Sequence, residues 1–257
     1  MLNDFIASTD RQIQLLQIIA ERQRITVAEI VEQFAVSEAT ARRDLETLAT
    51  QGKLQRVHGG ALALRSTPPE LPLLERRDEQ YAEKRRIGQA AAALVQEGET
   101  VFLGSGTTVL EVARALRNTK DLTVITNSLP VLNILAGCEC TVVCLGGMLR
   151  PNELSFIGHI TEQALAEVRA DKVFIGTRAI SLEHGLTHEY LPETLTDRAI
   201  MRAGREVVVV ADHTKFGRAA TVLLASIERV QTIVTDATTQ AEFLQNIQAR
   251  GIQIIRA

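Results

Sequence analysis

The first sixty residues place apolar side chains at helical spacing in three successive segments. A first helix is predicted over Arg11–Glu21, and a second is predicted to begin at Thr26, where Glu29 completes a capping box. Ser37 is a suitable cap for a third helix. The apolar positions of the three helices are Ile13, Leu16, Ile19 and Ala20, then Ile30, Val31 and Phe34, then Ala41, Leu45 and Leu48.

A short basic segment containing Arg56 follows the third helix and ends in His58, Gly59 and Gly60, which is typical of a hairpin. Three helices, a tight turn between the second and third, and a hairpin are the layout of a winged helix-turn-helix. Residues 1–64 are therefore predicted to bind double-stranded DNA, with the third helix in a groove and the hairpin as the wing.

The third helix carries two arginines in its early turns, Arg42 and Arg43. Thr40 and Arg43 lie on a different face from the apolar positions, so this face is free to approach DNA. The alternative is that the two arginines are solvated or paired with the nearby acids Asp44 and Glu46. The helix and wing around them favour the DNA-binding interpretation.

Residues 65–82 are predicted to form a linker, because Pro68, Pro69 and Pro72 stand in a charged segment and favour extended chain. A helix is predicted near Glu83–Val95, and it begins the second domain, residues 83–257.

From Glu99 onward, short runs rich in Val, Ile and Leu alternate with helical segments. Strands are predicted at Thr100–Leu103, Leu122–Thr126, Thr141–Leu145, Lys172–Gly176, Glu206–Ala211, Gln231–Thr235 and Ile252–Ile255, and helices at about 107–117, 128–136, 159–169, 193–203 and 239–249. Continuously apolar strands indicate a parallel sheet covered on both faces. The second domain is therefore predicted to be an α/β domain with a Rossmann-like open parallel sheet.

The predicted strands end in polar residues, and ligands of open α/β sheets bind at the carboxyl ends of the strands. Ser105, Gly106, Thr107 and Thr108 follow the first strand, Asn127 the second, Arg178 the fourth and Lys215 the fifth. Glycine, hydroxyl groups and a helix N-terminus suit an anion, so these ends together predict a small phosphorylated ligand. Neither a G-x-G-x-x-G fingerprint nor a Walker A loop is present, which disfavours a nucleotide cofactor, and no cofactor is expected.

Charge indicates that one DNA-binding domain is a weak binder by itself. The net charge is -3, and residues 1–65 hold eight Lys/Arg and eight Asp/Glu. A locally modest basic patch favours pairing of two or more copies on DNA, so a homodimer or homotetramer is expected. No apolar run approaches the roughly 20 residues of a membrane span, and a cytoplasmic protein without membrane contact is expected.

Two clusters invite a metal or redox interpretation and are expected to be structural. His184 and His188 are four residues apart, but Gly185 lies between them and the segment is not helical, so no metal site is expected. Cys140 and Cys144 are predicted to share one face of a strand as small buried hydrophobic residues. With Cys138 they make an odd number of cysteines and no disulfide framework.

The chain resembles the DeoR-type bacterial transcriptional regulators over essentially its full length. The N-terminal segment VSEATARRDLETLATQGKLQRVHGGA matches their helix-turn-helix pattern, and the second domain carries SGTT, TNS, LGGMLR followed by Gly158, FIG and ADHTKFG. The second domain is similar to a sugar-phosphate sensor related to the ribose-phosphate isomerase and CoA-transferase folds.

This resemblance implies a repressor of a carbohydrate-utilisation operon that a phosphorylated sugar controls. It implies that Ser37, Thr40, Arg42 and Arg43 approach DNA with His58, Gly59 and Gly60 in or beside the wing, and that Ser105, Gly106, Thr107, Thr108, Asn127 and Lys215 surround the effector. The alternative is an isomerase-like enzyme fused to a DNA-binding domain, with Glu193, Asp212 and Lys215 as acid–base groups. A regulator without enzymatic activity is the favoured hypothesis.

Overall fold

A computed structural model of the protein describes residues 11–19, 24–50, 54–57, 59–63, 65–66 and 71–257. The chain divides into two compact units, Met1–Ser66 and Thr67–Ala257. Among the described residues, none of the helices combines the length and the apolar character that crossing a lipid bilayer requires.

The first unit contains three helices in its described part, as the apolar spacing predicts. Residues 11–19 form helix α1, followed by β1 (Arg24–Thr26), α2 (Val27–Phe34) and α3 (Glu38–Thr50). The capping box of α2 is present, because Thr26 N donates to Glu29 Oε2 at 2.7 Å and Glu29 N donates to Thr26 Oγ1 at 3.2 Å. The turn between α2 and α3 passes through Ala35 in the left-handed conformation, with φ of 51°.

The helices pack on one small core, with one correction to the predicted apolar face. Ile19, Ile30, Leu45 and Leu48 are buried as expected. In α1, however, Leu15 is fully buried, whereas Ile13 is 52% exposed. The pair Leu15 and Ile19, one helical turn apart, therefore faces the core in place of the predicted Ile13.

The wing is an antiparallel hairpin of β2 (Leu54–Val57) and β3 (Gly60–Ala63), and β1 pairs with the other side of β3. Gly60 is required where β3 crosses β1, because a Cβ at this position lies only 2.2 Å from the carbonyl oxygen of Ile25. The hairpin confirms the winged helix-turn-helix fold. His58 lies outside the described residues, and the two-residue strand β4 (Arg65–Ser66) ends the unit.

The second unit is built on a sheet of seven parallel strands in the order β17-β16-β13-β10-β5-β6-β7. The strands are β5 (Thr100–Leu103), β6 (Thr123–Thr126), β7 (Thr141–Cys144), β10 (Ala170–Ile175), β13 (Gly204–Val210), β16 (Thr232–Thr235) and β17 (Gln253–Arg256). All seven predicted strands are present, which confirms the open parallel α/β architecture. The chain order reverses between β5 and β10, so a crevice is expected there.

Helices cover both faces of this sheet. They are α4 (Tyr81–Ala92), α5 (Thr107–Leu116), α6 (Leu129–Leu135), α7 (His159–Ala166), α8 (Leu191–Ala203) and α9 (Ala241–Gln248). Successive residues of β5 enter different cores: Val101 and Leu103 pack with α4 and α5, and Phe102 packs with α7 and α8. Burial on both faces explains why the strands read as continuous apolar runs.

Short antiparallel strands lie beyond the crevice end of the sheet. The apolar pattern does not predict them. β8 (Met148–Arg150) pairs with β9 (Ser155–Ile157), and β11 (Ala179–Ser181), β12 (Gly185–His188) and β15 (Val222–Ala225) form a three-stranded sheet. The two-residue strand β14 (Arg218–Ala219) lies between β13 and β15 in the chain. These strands are short, and long-range pairing determines their register, so local spacing carries little signal.

Part of the predicted linker packs on the second unit. Leu73 is fully buried in the core that contains Ile87 of α4, and its N–H donates to Asn152 O at 2.7 Å. Residues 71–80 therefore belong to the second unit, although they contain no helix or strand. The predicted limits of the linker, 65 and 82, stay a prediction, since part of that segment lies outside the described residues.

The cysteines differ from the prediction. Cys138 and Cys140 form a disulfide in the loop before β7, so Cys140 does not lie on a strand with Cys144. Cys144 is exposed at the end of β7, and partial burial of its thiol raises the pKa of that group. β7 is the edge strand of the sheet, so its side chains face solvent more than those of the central strands.

Candidate functional site

The predicted recognition helix, α3, has the cap that the sequence indicates. Thr40 N donates to Ser37 Oγ at 3.2 Å, and the hydroxyls of the same two residues lie 2.9 Å apart. Ser37 is exposed and Thr40 is half-buried, so both lie at the solvent-facing start of the helix. The cap fixes the first turn, which directly precedes the two arginines.

The two arginines of α3 have different surroundings. Arg42 forms an exposed ion pair with Glu38, four residues earlier, at 3.1 Å. Arg43 is exposed, and its side chain has no hydrogen-bond or ion-pair partner within the described part of the chain. Asp44, the alternative partner that the sequence offers, is buried, and its carboxylate accepts from Arg11 Nε at 2.6 Å. Arg43 is therefore available to an anionic partner at no cost in internal contacts.

The described residues of the wing differ in exposure and in their hydrogen bonds. Gly59 is exposed at the turn with φ of 79°, and its carbonyl accepts from Val27 N at 2.8 Å. Arg56 is half-buried and donates from Nη1 to Gly60 O at 3.0 Å. Gly60 itself is buried beneath β1, so it supports the wing from inside. Gly59 is exposed and Arg56 is half-buried, so solvent reaches both residues, and their contact with DNA stays a prediction.

A cavity of about 670 Å³ opens at the crevice between β5 and β10 in the second unit. Loops after β5, β10 and β13, the segment 71–80 and the start of α8 contribute to its lining. Of the residues predicted to surround an effector, six line it: Ser105, Gly106, Thr107, Thr108, Arg178 and Lys215. The volume is within the range of small-molecule sites.

The loop from β5 into α5 supplies the groups expected of an anion site. Gly106 caps α5 with φ of 112°, a conformation that favours glycine. The hydroxyls of Ser105, Thr107 and Thr108 border the cavity and have no hydrogen-bond partners in the described structure. No side chain of the described residues caps this helix, so its first-turn N–H groups remain available beside the cavity, where the helix dipole favours negative charge.

Two lysines add positive charge to the same cavity. Burial lowers the pKa of Lys215 below its ordinary value; Asp212 opposes this shift, and Arg178 adds to it. Burial likewise lowers the pKa of Lys84, whose Nζ donates to Arg76 O at 2.9 Å. A buried ammonium is poorly hydrated, so an anion that enters the cavity gains a strong electrostatic partner.

The acidic wall of the cavity is held by buried ion pairs. Arg150, at the end of β8, forms a short ion pair with Glu193 and lies 4.7 Å above the ring of Tyr190. Glu193 also accepts from Ser155 Oγ at 3.1 Å. Arg178 is paired with Glu189 at 3.3 Å. The strand ends and α8 are therefore fixed relative to each other around the cavity.

A candidate cation cluster lies within this wall. Donor atoms of His188, Glu193 and Asp197 lie within 4.8 Å of one another, and His188 Nδ1 is 3.6 Å from the Asp197 carboxylate. His184 is not part of the cluster, and the segment is not helical, as expected: His188 ends β12 and His184 precedes it. Arg150 and Ser155 each engage one oxygen of Glu193. The expectation of no metal site stays a prediction.

Asn127 is placed differently from the other predicted effector residues. It does not line the cavity; it is 1% exposed, and its Nδ2 donates to Phe156 O at 2.9 Å. Phe156 N in turn donates to Asn127 O at 2.7 Å, which ties the end of β6 to β9. The residue therefore holds the loop behind the cavity, and direct contact with an effector stays a prediction.

Several lining residues lie outside the predicted set. They are Arg76, Glu79, Lys84, Glu153, His188, Asp197 and Arg218, while Glu193 and Asp212 were predicted only for the enzymatic alternative. Most stand on segments remote from the strand ends in sequence, so their approach depends on packing. Only the alternating charges of residues 75–86 indicate that this stretch carries paired groups.

Two family models match the chain, one to each unit. A DeoR-like helix-turn-helix domain matches residues 11–67, and a DeoR C terminal sensor domain matches residues 79–237. Among solved structures, a ribose 5-phosphate isomerase A from Methanocaldococcus jannaschii aligns with a TM-score of 0.41 and 19% identity, over 54% of this chain and 55% of its own. That similarity is too low to identify a shared fold.

Curated relatives align over almost the entire chain. The transcriptional repressor AccR of Agrobacterium fabrum is 34% identical over 92% of each chain. The glycerol-3-phosphate regulon repressor of Escherichia coli is 36% identical over 96% of this chain and 98% of its own. A putative aga operon transcriptional repressor of Escherichia coli O157:H7 is 32% identical over 96% and 93%. The chain therefore belongs to the DeoR family.

Proposed function

We propose that the protein is a DNA-binding transcriptional repressor of a carbohydrate-utilisation operon, controlled by a phosphorylated sugar. The observation that carries the proposal is that one chain joins a capped helix bearing the unpaired Arg43 to a cavity lined by a helix N-terminus, the buried Lys84 and the half-buried Lys215. The relatives are named as repressors, one of them of the glycerol-3-phosphate regulon, which agrees with a regulator and a phosphorylated ligand.

On the DNA side, α3 enters the major groove and the wing grips the flanking backbone. The residues assigned to this contact are Ser37, Thr40, Arg42, Arg43, Arg56, His58, Gly59 and Gly60. Arg43 reads a base edge, because its guanidinium is exposed and unpaired within the described part of the chain. Arg42 must leave Glu38 to reach a phosphate, which costs little because that pair is solvent-exposed.

On the effector side, the phosphate group binds at the start of α5, among the hydroxyls of Ser105, Thr107 and Thr108. Lys215 and Arg178 neutralise its charge from neighbouring strand ends. The sugar hydroxyls face the acidic wall, where Glu193 and Asp197 accept hydrogen bonds. A cavity that offers hydroxyls, N–H groups and cations to a phosphate, and carboxylates to sugar hydroxyls, suits a phosphorylated sugar.

The protein acts on DNA as a homodimer or homotetramer. The near-neutral first unit provides a modest electrostatic attraction to DNA, and two linked copies on two half-sites multiply their affinities. Light scattering of the purified chain tests this assembly: a monomer at the concentration that saturates DNA contradicts it.

The proposed function is tested by two measurements on the purified chain. Thermal unfolding is compared for ribose 5-phosphate, fructose 6-phosphate and glycerol 3-phosphate, with the unphosphorylated compounds and inorganic phosphate as controls. A ligand at 100 times its Kd stabilises the native state by about 2.7 kcal/mol. The same compound should change retention of a duplex selected by the chain from a random pool. Failure to bind any duplex refutes the repressor, and no stabilisation by any phosphorylated sugar refutes the effector class.

An isomerase-like activity is the second candidate, because Glu193, Asp212 and Lys215 line the same cavity. Proton transfer at a sugar carbonyl needs such groups close to the substrate. Arg150 and Ser155 already engage Glu193, and Thr214 engages Asp212, which favours binding over proton transfer. Turnover of pentose or hexose phosphates that disappears in Lys215→Ala supports this candidate, and binding without turnover rejects it.

A further inference from the structure

Residues 71–80 link the cavity to the chain that leads into the DNA-binding unit. Leu71 and Arg76 line the cavity, and residues 67–70 connect this segment to the first unit. Neither family model covers residues 68–78. Residues 71–80 therefore line the cavity and follow directly on residues 67–70, which lead from the first unit.

Arg76 holds the segment together by contacts at three points. Its Nε donates to Leu71 O at 2.7 Å, and its guanidinium forms a short ion pair with Glu153 in the turn between β8 and β9. Its carbonyl accepts from Lys84 Nζ. The side chain is 11% exposed and that of Glu153 is 5% exposed, so this pair is largely removed from water. One residue therefore ties the start of the segment to the β8–β9 turn and to α4.

A bound phosphate group changes the balance of charges at Arg76. Arg76 is paired with Glu153, and its carbonyl accepts a hydrogen bond from Lys84 Nζ. A second anion in the cavity competes with Glu153 for the guanidinium and with the Arg76 carbonyl for the ammonium of Lys84. Movement of the guanidinium toward the second anion alters its hydrogen bond to Leu71 O, close to the start of the second unit.

We propose that Arg76 is the positioning residue through which an occupied cavity acts on the DNA-binding unit, because its guanidinium joins the ligand space to the Leu71 carbonyl. The inference rests on the proposed function and adds its route of regulation. A ligand shifts an equilibrium only by binding two arrangements differently. The two arrangements are Arg76 paired with Glu153, and Arg76 turned toward the ligand phosphate.

The test uses the ratio of DNA affinities with and without saturating ligand, measured on the full chain. Saturation removes any effect of the variants on ligand affinity itself. Coupling of this kind is typically about 5- to 150-fold. The variant is the double substitution Arg76→Gln and Glu153→Gln, which removes both charges of the pair together and keeps a side chain that can form hydrogen bonds at each position. The ligand is whichever of ribose 5-phosphate, fructose 6-phosphate or glycerol 3-phosphate stabilises the parent.

Two controls accompany the double variant. Arg86→Ala removes an exposed arginine of α4 that pairs with Glu83, outside the cavity, and should keep the ratio of the parent. Ser105→Ala removes a hydroxyl from the start of α5 without breaking an ion pair, and it should weaken ligand binding while keeping the ratio at saturation. The proposal expects a ratio of about one only in the double variant. A double variant that retains the parent's ratio overturns it.

Hydrogen exchange on the unsubstituted chain gives an answer even if the double variant does not fold. The amides of Leu73 and Arg76 donate to Asn152 O and Pro72 O. Ligand should change their protection, together with that of the first turn of α5. Protection that changes at α5 and not within residues 71–80 overturns the proposal while leaving the proposed function intact. A chain that binds neither DNA nor ligand refutes the proposed function itself.

Discussion

The surface of α3 and the wall of the cavity both carry arginine–glutamate pairs, but the two pairs stand in opposite surroundings. Arg42 and Glu38 are 63% and 68% exposed, whereas Arg150 and Glu193 are 10% and 6% exposed. The first pair is exposed to solvent and can be exchanged for another ion pair at little cost. The second is enclosed between β8, β9 and α8.

Because of this difference, substitutions of the exposed pair on α3 should hardly change stability, whereas substitutions of the buried pair at the cavity should change it strongly. An exposed i,i+4 pair contributes only about 0.3–0.5 kcal/mol, so the contact surface of α3 is adjustable without loss of fold. A buried pair leaves an uncompensated charge when one partner is removed. Changes in the cavity therefore affect the folded state as well as the ligand.

The largest expected effect comes from breaking the buried pair. Glu193→Ala leaves Arg150 without its main anionic partner and should lower the free energy of unfolding of the second unit by about 3–5 kcal/mol. Glu38→Ala, the matched change on α3, should cost about 0.5 kcal/mol or less. Urea unfolding followed by circular dichroism measures both free energies of unfolding. Equal decreases in the two variants would contradict the difference between the buried and the exposed pair.

The next effect concerns DNA affinity alone. Arg43→Ala removes an exposed guanidinium without partners in the described structure, so stability and ligand affinity should stay close to those of the parent. The free energy of operator binding should weaken by about 1–3 kcal/mol for each half-site at which the guanidinium no longer reaches a base. A shift assay at fixed salt measures this, with Arg85→Ala on the exposed face of α4 as the control. Unchanged operator affinity would remove Arg43 from the interface.

The smallest effect is the pH dependence of ligand binding. Burial lowers the pKa of Lys215, so its positive charge is lost at a lower pH than that of an ordinary lysine. Affinity for a sugar phosphate should rise as the phosphate becomes dianionic above about pH 6 and fall again on the alkaline side, before about pH 10.4.

Lys215→Arg is the control for this pH profile, because a guanidinium stays charged throughout the range. Calorimetric titration from neutral to alkaline pH should show the alkaline loss of affinity in the parent and a smaller loss in the variant. Burial also lowers the pKa of Lys84, so we expect this residue to cause the loss of affinity that remains in the variant. An alkaline limb of equal size in both proteins excludes Lys215 as its source.

Local chemistry explains which features could be predicted from sequence. The capping box of Thr26 and Glu29, the glycine–hydroxyl loop after β5 and the seven apolar strands each depend on neighbouring residues. Arg76 and Glu153 are 77 residues apart, and no short-range pattern brings them together. Asn127 is a residue whose place in the chain is predicted but whose surroundings are not. Its position after a strand follows from the local pattern, whereas its burial depends on contact with β9.

The same distinction explains the cysteines and the small strands. The edge position of β7 decides that Cys144 is exposed, and a strand's place in its sheet is a property of the whole fold. Likewise β8 and β9 form a hairpin around a turn that residues 71–80 pack against.

The burial of Leu73 has a consequence for engineering regulators by domain exchange. A hybrid that joins a foreign DNA-binding domain at residue 82 discards the buried Leu73 and Arg76, which lines the cavity. In such a hybrid the second unit would be truncated, and its hydrophobic core would lack the side chain of Leu73. A junction placed before Leu71 keeps the receptor whole, so a metabolite sensor with a new genetic target should be spliced there.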